Sequence, residues 1–316
     1  MRGRLAQLGR RLLEAVPVVL LATFLVYGMM QLVPGDPAVT LAGENASTER
    51  VAEIRAQYGL DRPFLAQYAA WLGHAVQGDL SRSLLTGVPV RRAILEKLPN
   101  TIEIVVGALL VSMALGIPLG IAAATRAGSW EDGLVSALSS LGVAVPSFWL
   151  AMILVSVFAL DWRLLPATGA VPFWVDPADS LRHAVLPALA LGASGVAEVA
   201  RQLRSALVEV LGSQFVRTLH AKGLPRRSIL WRHGLKNVGV TLLTVLGLLL
   251  NRMLGATVVI EAVFAIPGIG STVVQAALAK DLPVVQGVVL AMVVLVVCVN
   301  LAVDMLYALL DPRVAR

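Results

Sequence analysis

Charge is what this sequence has least of for its length. Only 15% of its 316 residues are Asp, Glu, Lys or Arg, where soluble domains carry about 25%. With a mean hydropathy of +0.79, too little polar surface remains to cover a water-soluble globule. Soluble enzyme, disordered regulator and nucleic-acid binder are poor readings, despite a pI near 10.0. Cysteine occurs once, as Cys298, so no intramolecular disulfide can form. Lysine occurs at Lys97, Lys222, Lys236 and Lys280, never after glycine, so the chain has no Walker A loop for nucleotide phosphates. His74, His183, His220 and His233 show no metal-ligand spacing, and neither an HExxH nor a GxSxG motif is present. Catalysis, a bound metal and a cofactor are therefore not expected in this chain.

What the sequence does have is long apolar runs. Crossing about 30 Å of hydrocarbon takes roughly 20 residues, and six runs qualify, at about 12–32, 101–124, 134–160, 184–206, 238–262 and 287–310. The expectation is an all-α integral membrane protein of about six spans. The first run follows Arg2, Arg4, Arg10 and Arg11 like a signal peptide. It ends in Pro34-Gly35-Asp36-Pro37 with no small-x-small cleavage site, and reads as an uncleaved span. Pro118 and Pro146 fall inside spans two and three and predict local kinks.

Positive charge orients such a chain. Between Arg201 and Lys236 stand Arg201, Arg204, Arg217, Lys222, Arg226, Arg227, Arg232 and Lys236 against the single acid Glu209. With six spans, this segment and both termini share one side, the cytoplasmic one. The organisation expected is a tail and first span over 1–32, an extracytoplasmic helical segment over 33–100, and a core over 101–316 with a cytoplasmic segment at about 207–237. Trp162 and Trp174 are candidate interfacial anchors at the outer end of span three.

In the outer segment, Ser47 caps an expected helix from Thr48 to Tyr58, with Val51, Ile54 and Tyr58 on one side and Gly59 after it. Asp61 and Pro63 start a second, carrying Phe64, Tyr68, Trp71 and Leu72. A third begins near Pro89, with Val90, Ile94 and Leu98 in one stripe. These helices either lie on the membrane surface or form a platform for a soluble partner.

The segment Glu209 to Leu224 is the most informative. A short helix there would expose Phe215, Val216 and Leu219 beside Arg217 and Lys222, with Gly223 as its stop and Pro225 preventing continuation. It reads either as a basic helix on the membrane surface or as a plug for a groove in another protein. Arg217-Thr218 and Ala221-Lys222-Gly223-Leu224, followed by His233 and Asn237, resemble the cytoplasmic signature of binding-protein-dependent ABC importer permeases. The likeness is to the dipeptide/oligopeptide/nickel class, and to the first of its two permease subunits. It extends along almost the whole chain, through Val33-Pro34-Gly35-Asp36-Pro37, Gly78-Asp79-Leu80, Gly116-Ile117-Pro118-Leu119-Gly120 and Pro146-Ser147-Phe148-Trp149-Leu150. It continues through Leu186-Pro187-Ala188, Pro267-Gly268-Ile269-Gly270, Pro283-Val284-Val285-Gln286-Gly287 and Asp304…Tyr307-Ala308…Asp311-Pro312-Arg313. Each is weak alone; their order and spacing make them specific. Leu219 departs from the small residue usual at its position, and His220 stands where that class often has Arg.

The resemblance implies that Phe215, Val216, Arg217, Thr218, Leu219, Ala221, Lys222 and Gly223 form a coupling helix seated in a cleft of a cytoplasmic ATPase. It implies two ATPase subunits carrying ATP and Mg, a homologous second permease, and an extracytoplasmic binding protein delivering a peptide across a bacterial inner membrane. Nickel or glutathione are alternative cargoes. An ion-coupled secondary transporter is the rival from another class; it would often show an inverted repeat, and none is evident.

Arg252, with Glu261 nine residues on, is the candidate for the translocation pathway. An arginine at that depth costs about 2.5–3.5 kcal/mol on insertion scales, so it should face a partner or water. It either lines the pathway or belongs to a buried pair. Glu198, Arg201 and Arg204, three apart, are expected to form an intrahelical ladder. Asn300 and Asp304 are candidates for a bond to a neighbouring helix, Glu103 for contact with headgroups, and Cys298 for packing.

Overall fold

The computed structural model describes residues 2–32, 36–43, 46–57 and 59–310, in which every regular element is helical. Val33-Pro34-Gly35 of the first motif, Tyr58 and the tail from Asp311 to Arg316 lie outside the described residues. In chain order the principal helices are α1 (Arg2–Leu32), α2 (Pro37–Ala42), α3 (Thr48–Gln57), α4 (Phe64–Val76), α5 (Val90–Thr125), α6 (Trp130–Ala144) and α7 (Ser147–Leu154, prolonged by a π-helical stretch to Asp161). They continue as α8 (Pro177–Leu211), α9 (Gln214–Ala221), α10 (Arg226–Ser228, prolonged by a π-helical stretch to Gly234), α11 (Leu235–Val263), α12 (Ile269–Leu278) and α13 (Leu282–Leu310). Among the described residues, five stretches are long and apolar enough to cross a membrane: Gly9–Leu32, Val90–Thr125, Pro177–Leu211, Arg226–Val263 and Leu282–Tyr307.

The sixth differs from expectation. Instead of one kinked span, α6 and α7 meet at an angle of 96°. Proline disfavours helical backbone in the residue before it, and Val145 is extended (φ −77°, ψ 121°) where it precedes Pro146. Pro99 has the opposite outcome. An outer helix from near Pro89 and a span from about 101 were expected as separate elements, yet α5 runs through Pro99 as one helix of 36 residues, about 54 Å. The buried stripe Val90, Ile94, Thr101, Ile104, Val105 and Ala108 keeps one face across the proline.

The chain forms two compact units. One comprises Met1–Arg4, Asn100–Ile266 and Cys298–Arg316; the other comprises Leu5–Pro99 and Pro267–Val297. The first is built on a seam of small residues between α5 and α8. A Cβ placed on Gly116 would lie 2.8 Å from the Val196 carbonyl oxygen, one on Gly120 2.9 Å from that of Ala200, and one on Gly192 2.8 Å from that of Ala108. Ser112 joins the seam, its hydroxyl 2.7 Å from the Ala108 carbonyl and 3.1 Å from that of Gly192. Between membrane helices there is no hydrophobic drive to associate, so close backbone approach is the source of cohesion. The neighbouring α6 is fixed by a pair with a buried acid: the half-buried Arg204 guanidinium donates two hydrogen bonds to Asp132, one of 2.6 Å.

The expected ladder on α8 is therefore absent in the form proposed. Glu198 pairs with Arg252 and Arg204 with Asp132, both on other helices. A pair within one helix contributes a few tenths of a kcal/mol, whereas leaving Arg252 or Asp132 uncompensated in a low-dielectric setting costs several-fold more.

In the second unit, Phe64, Tyr68 and Trp71 of α4 pack against Phe24 and Tyr27 of α1, with ring centroids 5.3–6.4 Å apart. Tyr27 donates to Gln67 at 3.1 Å, and Tyr68 to the Leu20 carbonyl at 3.1 Å. This aromatic face is thus spent within the chain. Ser47 accepts from the Arg50 amide as the cap of α3. Asp36 caps α2 and pairs with Arg55; burial pushes its carboxyl up, but the Arg55 guanidinium and Ala38 amide outweigh that and hold it below the ordinary carboxylate value. The turn before α13 is tied down by Asp281, which accepts from the Ser83 hydroxyl and from the Leu84 amide at 3.1 Å. Gly287 is needed because a Cβ there would meet Val90 Cγ1 at 2.5 Å.

The seam predicts unequal responses to one added methyl. Gly116→Ala should destabilise the detergent-solubilised protein by about 1–3 kcal/mol through overpacking, seen as a lower melting temperature. Gly239→Ala, where a Cβ meets nothing within 4 Å, should leave melting unchanged or raise it. Equal melting of the two variants would contradict the seam.

Candidate functional site

The segment between α8 and α11 is built by a succession of stops and starts. After Leu211, Gly212 ends α8, and Ser213 turns extended (φ −71°, ψ 157°) to begin α9. At the other end the Leu224 amide bonds the Leu219 carbonyl (3.2 Å) and the Gly223 amide that of His220 (2.9 Å). These two bonds form a Schellman motif, which requires a left-handed residue; Gly223 supplies it at φ +79°. Pro225 then precedes α10, whose π-helical continuation buries Ile229 and Gly234 and returns the chain to α11. Asn237 donates to the His233 carbonyl at 2.8 Å, which accounts for that pair in the motif.

The apolar residues of α9 divide. Val216 is buried against the chain, Leu219 is half-buried, and Phe215 is 41% exposed with its ring edge-on to His233 at 6.4 Å. The sequence placed all three on one exposed face. Successive helical positions lie about 100° apart, so Val216 points inward when Phe215 points outward, and Leu219 falls between them. Arg217, Thr218, His220, Ala221, Lys222 and Gly223 are exposed. Arg226, Arg227 and Arg232 are exposed too, as is Trp231, which sequence reasoning did not single out. Its signal was available: a large aromatic at the centre of a run of arginines. The result is a short helix presenting one aromatic and a half-covered leucine within a basic surface, with no acid among these exposed residues.

The second candidate region lies within the spans. Arg252 Nη1 is 3.0 Å from Glu198 Oε2; the Arg252 side chain is 56% exposed and that of Glu198 16%. Beside it Asn251 donates to Asn300 Oδ1 at 2.8 Å, joining α11 to α13 as expected of Asn300. Glu261 is elsewhere in character. It is fully buried and accepts from the Thr101 hydroxyl at 2.6 Å, holding α11 to α5. Arg252 and Glu261 are therefore not brought together. Glu103 likewise accepts from Ser180 at 2.7 Å. Glu198 was the residue missed as a partner for Arg252, although it stands 13 residues before the end of α8, a depth comparable with that of Arg252 in α11.

Two family models match this chain. Residues 116–316 match the binding-protein-dependent transport system inner membrane component, and residues 5–105 match the N-terminal membrane component of the same systems. A Brucella abortus (strain 2308) protein named as a peptide transport system permease protein is 43% identical over 305 residues, covering 96% of this chain and 97% of that protein. The dipeptide transport system permease protein DppB of Escherichia coli K12 is 34% identical over 329 residues, with 96% and 97% covered. Among solved structures, the inward-facing MetNI methionine ABC transporter superposes with a TM-score of 0.58 at 17% identity. That match covers 71% of this chain and 98% of the transporter chain, and speaks for the fold alone. With both models and full-length relatives in agreement, the chain belongs to the family of binding-protein-dependent transport system inner membrane components, as a permease subunit of an ABC importer.

Proposed function

We propose that the chain, together with a homologous second permease, forms the translocation pathway for peptides handed over by an extracytoplasmic binding protein. The names of its full-length relatives support a peptide cargo. Two ATPase subunits carrying ATP and Mg supply the energy. They dock on α9 at the cytoplasmic face, where both termini and the basic segment at about 207–237 also lie. Residues 33–100 face the outside.

The observation that carries this reading is α9. It is a short helix with Phe215 exposed, closed by a left-handed Gly223 and set among exposed cations, in a chain that lacks any nucleotide-binding loop of its own. Phe215 and Leu219 are the anchors that enter the ATPase, Val216 holds the helix to its own chain, and Arg217, Thr218, Ala221 and Lys222 form the rim. Movement of the ATPases on binding and hydrolysing ATP shifts α9 as a unit. Because α9 is tied to α8 through Gly212 and Ser213, and to α11 through α10 and its π-helical continuation, that shift reaches the spans and alternates access to the pathway.

Interface anchors typically cost about 2 kcal/mol or more on truncation, roughly thirtyfold in affinity. Phe215→Ala/Leu219→Ala should therefore insert normally but lose the ATPase on affinity purification. Gly223→Val should do the same by straining a position at φ +79°. Full retention of the ATPase and of peptide uptake by the double variant would reduce α9 to a basic surface helix.

Orientation is tested by thiol labelling in a Cys298→Ala background. Thr86→Cys and His220→Cys occupy exposed positions. An impermeant reagent added outside should reach the first and not the second; the reverse pattern would invert the topology.

A further inference from the structure

The exposed stripe of α11 carries a charge. It runs through Thr241, Thr244, Leu248, Arg252, Gly255 and Val259 at helical spacing. The exposed positions of α1 between Leu20 and Met29, by contrast, are all apolar: Leu20, Leu21, Phe24, Leu25 and Met29. Hydrocarbon tolerates the second pattern and penalises the charge in the first, because ionisable side chains in a span turn toward protein or water. Arg252 is the eighteenth of the 29 residues of α11, about 26 Å from one end and about 16 Å from the other. Its charge is thus held well inside the membrane.

Glu198 meets only one edge of the guanidinium, through Nη1 at 3.0 Å, and more than half of the arginine side chain stays uncovered. Guanidinium presents a planar fork of donors suited to bidentate carboxylate recognition. One turn further along, a Cβ on Gly255 would meet nothing within 4 Å, so open space adjoins the uncovered side. Glu198 thus holds and orients this guanidinium without saturating it.

We infer that Arg252, steadied by Glu198, is a carboxylate-binding subsite on the pathway face of α11, where it receives the C-terminal carboxylate of the transported peptide. The inference rests on the reading of the chain as a peptide importer subunit. Glu198 offsets the arginine's charge when no peptide is present, so the empty pathway carries no net charge at this point. A passing carboxylate takes up the donors that Glu198 leaves unused, and is released again because the pair with Glu198 persists.

The test uses the complete reconstituted complex in proteoliposomes, with saturating binding protein loaded with Ala-Ala-Ala or with its C-terminal amide. The same binding protein serves every complex, so a changed ratio of free-acid to amide uptake belongs to the permease. Arg252→Gln should lower free-acid uptake at least about tenfold relative to amide uptake, the usual worth of a hydrogen-bonded charge. Arg252→Lys should lose less, keeping the charge without the fork. Glu198→Gln, which leaves the arginine in place and uncommitted, should move the ratio further toward the free acid. It decides the matter if the arginine variant does not assemble. Equal loss of both peptides in Arg252→Gln, or an unchanged ratio in both variants, overturns the subsite. Uptake of neither peptide by the wild-type complex overturns the peptide reading itself, and the subsite with it.

Discussion

Backbone-to-backbone contact between α5 and α8 is the constraint on which the rest of the first unit depends. Gly116, Gly120 and Gly192 bring carbonyl oxygens to within 3 Å of where a Cβ would stand, a separation only glycine allows. Everything that positions α9 follows from α8 being held in that way. The chain reaches α9 through Gly212 and Ser213 and leaves it through Gly223 and Pro225. With one end of the arm on a packed helix and the other on a π-helical turn whose Ile229 is buried, little slack remains to absorb a push.

The polar groups within the spans divide by the same logic. Thr101–Glu261, fully buried, and Arg204–Asp132, whose acid is buried, join pairs of helices and serve cohesion. In the low-dielectric interior such a pair is costly to break on one side only, so each fixes the register of two helices. Arg252–Glu198 has the same chemistry in a different setting, with the arginine largely uncovered. On the inference drawn above, the greater exposure of Arg252 is what separates a pair open to a ligand from the structural ones.

Much of this was legible in the chain. Five of the six spans follow from apolar runs, and the end of α9 follows from the order Gly223-Leu224-Pro225, because left-handed backbone and a missing amide are local properties. The direction of Val216 was not legible. Its inward turn depends on where α9 sits against its own chain, which no periodicity over eight residues states. The bend at Pro146 was legible, though not its 96°; the absorption of Pro99 was not, because it depends on a buried face that continues across the position. The partners of Arg252 and Asp132 stand 54 and 72 residues away. Local spacing favoured Glu198–Arg201–Arg204 because it counts neighbours on one helix only.

The account turns on what covers Phe215. A photo-crosslinking phenylalanine analogue placed there, in membranes that contain the whole transporter, measures this without relying on loss of function. The expected product is a single adduct with a nucleotide-binding subunit, whose yield changes when ATP is bound. Adducts with lipid alone, insensitive to ATP, would contradict it.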